Sequence, residues 1–370
     1  MELTSKQSNA ITKAEKWYKA NNSQFFTILG YAGTGKTTIT QYIIQQLGLK
    51  DSVAYVTFTG KASLVLTQKG CPATTIHQLI YEAVKEVKNG VPKTVFRKVD
   101  KISSRIKLIV IDEISMVSKE LLKDLASYGV PIIALGDPGQ LPPIGQNNPL
   151  INQSDIFLDE IHRQEASNPI IYLSMLARQN KEIPYGIYSK NVAVIKRSQL
   201  RDVTLLNSDQ IICGKNKTRQ ELNYKIRSIL YKGKTEELQK NDKLICLKNN
   251  WQINLENYPL VNGTIGYIDK VRKYNDKSRI GNIDFRPDFL TKSYTNLYAD
   301  FSAINGSLSL DTLDRDMNAF DYGYAITCHK SQGSSFNKVV VFEEVLNREA
   351  HHKWLYTAIT RSEDKLILVK

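Results

Sequence analysis

The chain has 370 residues, 42% hydrophobic and 24% charged, an ordinary globular composition long enough for two domains. Its net charge of +13 favours a polyanionic partner, nucleic acid before an anionic membrane. No apolar run approaches the roughly 20 residues of a membrane span. "MELTSKQSNA" lacks the apolar core of a signal peptide, so a cytoplasmic protein without a membrane partner is expected. The cysteines Cys71, Cys213, Cys246 and Cys328 form no C-x-x-C pair, which argues against a zinc ribbon or a disulfide framework. His351 and His352 read as surface residues rather than metal ligands.

In chain order, "FFTILG" is a short apolar run that breaks into glycines, and "KTTITQYIIQQLG" has helical spacing up to Gly48. "SVAYVTF" reads as a second strand. Residues 83–98 carry Asn89-Gly90 between short alternating runs, a hairpin signal that pairs Val84 with Val95, Glu86 with Lys93 and Lys88 with Val91. "RIKLIVIDE" and "GVPIIALGD" are two more strands, each ending in acid. Strands alternating with helices, with polar residues at the strand ends, predict a parallel α/β sheet with its site along that edge. The rhythm resumes with "QIICG", the helical "KNKTRQELNYKIRSIL", "KVVVFEE" and "KLILVK". Residues 245–318 lack a long helical pattern and predict a small β insertion. The expected organisation is two α/β domains, 1–155 and 156–370, the first with the hairpin and the second with the β insertion.

"GYAGTGKTT" fits G-x-x-x-x-G-K-[ST] between a strand and a helix, the context of a phosphate loop. Gly30, Gly33 and Gly35 let the backbone N–H groups face phosphate oxygens. Lys36 supplies charge to the β and γ phosphates, Thr34 and Thr38 complete the cradle, and Thr37 offers a hydroxyl to Mg2+. In "LIVIDE", Asp112 is the expected second holder of magnesium and Glu113 the base for the attacking water. "GDPGQLPPI" follows the next strand and emerges on the same edge. Gln140 is long enough to reach a γ-phosphate or that water, and Pro142 and Pro143 would transmit a shift because their φ angles are fixed.

"GYAGTGKTT", "VIDEISMV", "GDPGQLPPIG", "IHRQ", "AITCHKSQG" and "YTAITRSEDKL", in this order, resemble the motifs of superfamily-one DNA helicases of the Dda-like and RecD-like branch. The resemblance runs from "LTSKQ" to "TRSEDKL", nearly the whole chain. It implies two RecA-like domains, an SH3-like barrel as the β insertion, and ATP with Mg2+ as cofactors. Position by position it implies Gln7 on adenine, Arg163 and Arg361 as arginine fingers, and Gly333 near the γ-phosphate. Outside these motifs, either arginine would be read as a surface ion pair. "VTFTGKAS", "TTIH" and "TCHK" resemble strand-tracking segments, which makes Thr59, Lys61, Thr75, His77, Thr327, His329 and Lys330, with Pro142, candidate DNA contacts. His77 and His329 also fit satisfied, partly buried histidines, and Trp251 fits core as well as a base platform. The hairpin resembles the strand-separating pin of the branch, with Phe96 either meeting a base at the junction or anchoring the hairpin to its own domain.

The implied activity is an ATP-dependent DNA helicase moving 5′ to 3′ on single-stranded DNA and at single-strand/duplex junctions. The branch implies a monomer in a bacterial or phage-infected cytoplasm, with a single-strand-binding or replication protein as partner. A translocase that strips proteins without unwinding, and an RNA-remodelling ATPase, share the motifs. A small-molecule kinase explains neither the second α/β half nor the basic excess.

Overall fold

A computed structural model describes residues 3–88, 91–142, 149–160, 168–233, 237–256, 258–306, 308 and 317–370. The chain forms two compact units, Met1–Tyr172 and Leu173–Lys370. The strands of the first are β1 (Phe25–Gly30), β2 (Val53–Thr57), β3 (Ala73–Thr75), β4 (Tyr81–Lys88), β5 (Val91–Lys98), β6 (Leu108–Ile111), β7 (Ile132–Gly136) and β8 (Ile156–Leu158). Its helices are α1 (Ser5–Ala20), α2 (Lys36–Gln46), α3 (Gly60–Gln68), α4 (Ile76–Ile80) and α5 (Lys119–Ala126). Among the described residues the sheet order is β3-β2-β6-β7-β1-β8, and every neighbouring pair is parallel.

The apolar runs of β1, β6 and β7 are unbroken because helices cover both faces of the sheet. Alternation along each strand divides their side chains between the two faces. Ile28, Leu108, Val110, Ile133 and Leu135 pack with Ala10, Ala14, Ile39 and Ile43 of α1 and α2. Leu29, Ile109, Ile111, Ile132 and Ala134 pack with Ile76, Ile80, Leu121 and Leu125 of α4 and α5.

The domain boundary expected at residue 156 is corrected here. Ile28, Leu29 and Gly30 of β1 pair with Ile156, Phe157 and Leu158 of β8, so the segment after 155 closes the first sheet. The hairpin pairs Val84 with Val95, Glu86 with Lys93 and Lys88 with Val91, in the register that the sequence implies. It also starts two residues earlier than expected, at the Tyr81–Lys98 pair. The Asn89-Gly90 turn lies outside the described residues.

Helix α6 (Pro169–Arg178) runs across the division between the units. The second unit's strands are β9 (Gly186–Ile187), β10 (Val192–Ile195), β11 (Gln210–Cys213), β12 (Lys243–Cys246), β13 (Asn250–Leu255), β14 (Tyr258–Leu260), β15 (Ile265–Asn275), β16 (Ile280–Pro287), β17 (Tyr294–Asp300), β18 (Asn318–Tyr322), β19 (Ala325–Thr327), β20 (Phe336–Phe342) and β21 (Ser362–Val369). The helices used below are α7 (Asn216–Leu230), α8 (Cys328–Ser331) and α9 (His351–Ile359). Among the described residues, β19-β11-β20-β21-β10-β9 form a sheet, parallel except for β9. The β-rich insertion is a closed barrel, β12-β15-β16-β17-β18, around Phe285, Phe301 and Phe320. It begins at Lys243 and ends at Tyr322, slightly wider than the 245–318 expected.

An ion pair ties α7 to the segment leading into this barrel. Arg227 and Asp242 are 1% and 0% exposed and meet at 2.7 Å (Nε–Oδ1) and 2.9 Å (Nη2–Oδ2). Tyr324 Oη and the Gln239 N–H also donate to this carboxylate, and the Tyr322 ring lies 4.2 Å from the guanidinium. Removing one partner leaves a buried charge alone, so Asp242→Ala is expected to lower the stability of the second unit by about 3–5 kcal/mol. The paired change Arg227→Met with Asp242→Leu should cost much less. Urea denaturation followed by circular dichroism measures both.

Candidate active site and nucleic-acid interface

Because the first sheet is parallel, every strand delivers its carboxyl end to one edge. Along that edge the order is β3 with Thr75 and His77, β2 with Thr59 and Lys61, β6 with Asp112 and Glu113, β7 with Asp137 and Gln140, then β1 with the phosphate loop. The carboxylates therefore lie between the candidate strand-gripping segments and the phosphate loop.

The loop itself is built on close approach. A Cβ on Gly30 would sit 2.6 Å from the Leu158 carbonyl oxygen and 2.8 Å from Thr34 Oγ1, so glycine alone fits there. Gly33 and Gly35 both take φ of 77°, the left-handed region that glycine enters without strain. Thr34 is fully buried and donates to the Tyr31 carbonyl at 2.8 Å. Lys36 opens α2 and donates to the carbonyls of Gly30 (2.7 Å) and Tyr31 (2.8 Å). Thr37 and Thr38 follow, half-buried, in the first turn of this 11-residue helix. Gly35, at the N-cap, has no side chain to cover the first-turn N–H groups, an arrangement suited to an anion.

Asp112 follows β6, and its Oδ1 accepts from the Glu113 N–H at 2.9 Å. Burial pushes its pKa up, while the nearby Lys36 charge pulls it back down. A divalent cation would act in the same sense as Lys36. The donor set thus fits magnesium held by Asp112 and the Thr37 hydroxyl, with phosphate on Lys36 and the loop N–H groups. Glu113 has φ of 54° and ψ of 50°, a left-handed conformation that strains a residue with a Cβ by about 1–3 kcal/mol. The motif spacing gives no sign of this strain, which sits on the candidate base.

In the "GDPGQ" loop Asp137 is 4% exposed and accepts from the Gly139 N–H at 2.9 Å. Gln140 is half-buried, with Nε2 at 3.5 Å from Asp137 Oδ2, the outer limit of a hydrogen bond. Asp137 therefore organises the loop, and Gln140 is only lightly held. Pro142 is exposed, and Pro143 lies outside the described residues. Gln7 is 2% exposed. Its Oε1 accepts from the Thr4 N–H at 3.0 Å and its Nε2 donates to the Thr34 carbonyl at 3.2 Å, tying α1 to the phosphate loop.

The strand-contact candidates divide. The Thr59 hydroxyl caps α3, accepting from the Ala62 N–H, and Lys61 is half-buried in that helix. The reading of Thr75 as a direct hydroxyl contact is corrected: it is 3% exposed, and its hydroxyl is committed to capping α4 with Gln78. His77 is exposed, flanked by the rings of Phe58 (6.1 Å) and Tyr81 (5.6 Å). Phe96 is 72% exposed, so it does not anchor the hairpin to its own domain. Trp251 is half-buried on β13.

In the second unit, Thr327 and Lys330 line a cavity of about 230 Å³ together with Arg219, Asp321, Leu247 and Ile326. Desolvation lowers the Lys330 pKa, opposed by the charge of Asp321. His329 is half-buried, and burial lowers its pKa as well. Gly333 is buried with φ of 72°. Arg361 is 7% exposed, and its guanidinium donates to the carbonyls of Thr357 (3.2 Å) and Ser334 (3.1 Å). Arg163 lies outside the described residues. The turn from β11 into α7 parallels the phosphate loop, but a side chain fills it. Glu344 accepts from the N–H groups of Gly214 (2.7 Å) and Lys215 (2.9 Å) and from the Thr218 hydroxyl (2.6 Å). His351 is corrected from a surface residue: it pairs with Glu343 at 2.9 Å and stacks on Trp354. No described helix is long and apolar enough to cross a membrane.

Residues 2–196 match the family model described as an AAA domain, and residues 322–369 match one described as a UvrD-like helicase C-terminal domain. The ATP-dependent RecD2 DNA helicase of Deinococcus radiodurans is 25% identical over 367 residues, covering 91% of this chain and 46% of that protein. The ATP-dependent DNA helicase dda of Enterobacteria phage T4 is 30% identical over 200 residues, covering 49% of this chain and 43% of that protein. The chain thus spans less than half the length of these two relatives. Bacteroides Pif1 bound to ssDNA superposes with a TM-score of 0.58 at 18% identity, covering 100% of this chain and 92% of that one, which supports two RecA-like domains. With the first of these models matching residues 2–196, more than half of its length, the chain belongs to the AAA domain family, in the superfamily-one branch of Dda-, RecD- and Pif1-like helicases.

Proposed function

We propose that the chain is an ATP-hydrolysing DNA helicase that moves 5′ to 3′ on single-stranded DNA and opens the duplex ahead of it. One observation carries this reading: the phosphate loop, the Asp112–Glu113 pair, the Gln140 loop and the segments with Lys61 and His77 share one edge of a single parallel sheet. The names of the RecD2 and dda relatives agree with it. The polarity rests on the resemblance to their branch.

In this reading Lys36 and the loop N–H groups hold the β and γ phosphates. Thr37 and Asp112 hold magnesium, which when bound neutralises phosphate charge. Glu113 orients the attacking water and takes its proton, and Gln140 reads the γ-phosphate. Gln7 fixes the cradle from α1, and its role on adenine requires exchanging a bond to Thr4 or Thr34 for the base. Gly333, Arg163 and Arg361 complete the proposed nucleotide contacts; for Arg361 that role requires exchanging its carbonyl bonds for phosphate. The strand is gripped through Lys61, His77, Thr327, His329 and Lys330, with Thr59 and Thr75 setting the helices that carry two of them. The barrel is the SH3-like insertion of the branch. The helicase acts as a monomer at single-strand/duplex junctions in the cytoplasm, alongside a single-strand-binding or replication protein. The hairpin is the wedge, and the exposure of Phe96 supports a role at the junction.

Lys36→Ala is expected to abolish nucleotide binding, while Glu113→Gln should keep it and lower hydrolysis by about 10²–10⁴-fold. Nucleotide fluorescence titration with a phosphate-release assay separates the two, and an active Glu113→Gln enzyme would overturn the assignment.

Replacing residues 87–94 by a short Gly-Ser turn should sharply reduce duplex unwinding and spare ATP hydrolysis stimulated by single strands. Full-rate unwinding of a forked duplex by this variant would rule out the wedge.

A further inference from the structure

The hairpin is an isolated pair of strands, marginal by itself, so whatever holds its root sets its direction. The root is gripped by the last turn of α5 and the residues just after it. The Tyr81 hydroxyl, at the start of β4, donates to Asp124 Oδ2. The Lys98 ammonium, at the end of β5, donates to Ser127 Oγ at 2.9 Å and lies 5.6 Å from the Tyr128 ring centroid. The Tyr128 hydroxyl reaches the carbonyls of Val99 (2.5 Å) and Ile80 (3.4 Å), and the Val99 N–H closes the neck on the Ile80 carbonyl at 2.9 Å. Tyr81 and Lys98 face each other in the hairpin register, so both strands are held at the same level. Burial, and then Asp124, push the Tyr81 phenol up to about 12.

The other end of this support is the candidate catalytic loop. Glu113 immediately precedes the short 3-10 turn Ile114–Met116, and Ser118 caps α5 by accepting from the Leu121 N–H at 3.2 Å. Ile114, Val117 and Leu125 are 0% exposed and belong to one packed cluster with Ile76 and Ile80 of α4. A short helix with an unbroken buried face cannot absorb a shift at its start without moving its far end.

We infer that α5 is a connecting rod between the Asp112–Glu113 loop and the hairpin, and that Tyr81, Asp124 and Tyr128 are positioning residues that fix the wedge to it. This inference rests on the reading of the hairpin as a wedge. The Tyr81 ring also touches His77, so the same mount braces a candidate strand contact.

The test uses the full chain with Tyr81→Phe and Tyr128→Phe, which remove hydroxyls and keep the rings. Forked-duplex unwinding should fall about tenfold for the pair, as expected for one or two lost hydrogen bonds. Single-strand-stimulated ATP hydrolysis, single-strand translocation and the thermal midpoint should hold, so fewer base pairs open per ATP. Asp124→Asn keeps an acceptor and should retain most unwinding, whereas Asp124→Ala should not. Adding Tyr128→Phe to the Gly-Ser hairpin variant should cause no further loss, because the part it holds is gone. If unwinding by the two-tyrosine variant is unchanged while the Gly-Ser variant has lost it, the wedge stands and the mount is overturned. If the Gly-Ser variant still unwinds fully, wedge and mount fall together. If hydrolysis and translocation fall in step with unwinding, the cluster only supports the fold and the inference is overturned.

Discussion

The parallel register of the first sheet is the constraint on which the rest of the site depends. Parallel strands need a crossover after each strand, so every strand returns from the same side and ends on the same edge. The order β3-β2-β6-β7-β1-β8 then spaces the loops laterally, candidate strand-gripping segments first, carboxylates next, phosphate loop last. No single residue has to span the site. Neighbouring loops can pass a displacement along because each is rooted in a strand bonded to the next.

Close packing and strain both occur where chemistry is proposed. Gly30 is squeezed against the Leu158 carbonyl, which makes the third residue of β8 part of the phosphate loop's mould. Glu113 keeps a left-handed backbone at the N-cap position of the 3-10 turn, next to the buried Ile114. The second unit illustrates the opposite solution. Its strand–turn–helix at β11 and α7 offers N–H groups in a comparable way, and the Glu344 carboxylate accepts from those of Gly214 and Lys215 and from the Thr218 hydroxyl. This internal carboxylate covers the end of the helix and leaves the first unit's cradle as the open one among the described residues.

Much of the first sheet was legible because β1, β6 and β7 are long apolar runs that end in glycine or acid. The hairpin register followed from Asn89-Gly90 and the charge pairing of Glu86 with Lys93. The boundary was misread because β8 has only Ile156, Phe157 and Leu158 between polar residues, too short for any periodicity to register. Thr75 was misread because its hydroxyl suits a phosphate and a helix cap equally well, and only burial separates the two. The mount of Tyr81 on Asp124 and the closure of Gly214 by Glu344 join residues 43 and 130 positions apart, and such contacts leave no local pattern. The first unit's motif residues fall on loops along one edge of its sheet, while the backbone strain at Glu113 and the organising role of Asp137 needed coordinates.

In the proposed function one sheet edge joins nucleotide chemistry to a nucleic-acid strand. Steady-state ATP hydrolysis titrated with a single-stranded DNA oligomer, with an RNA oligomer of matching sequence in parallel, tests this coupling. A saturable, severalfold rise with DNA that is much weaker with RNA is expected. A rate indifferent to DNA would contradict it.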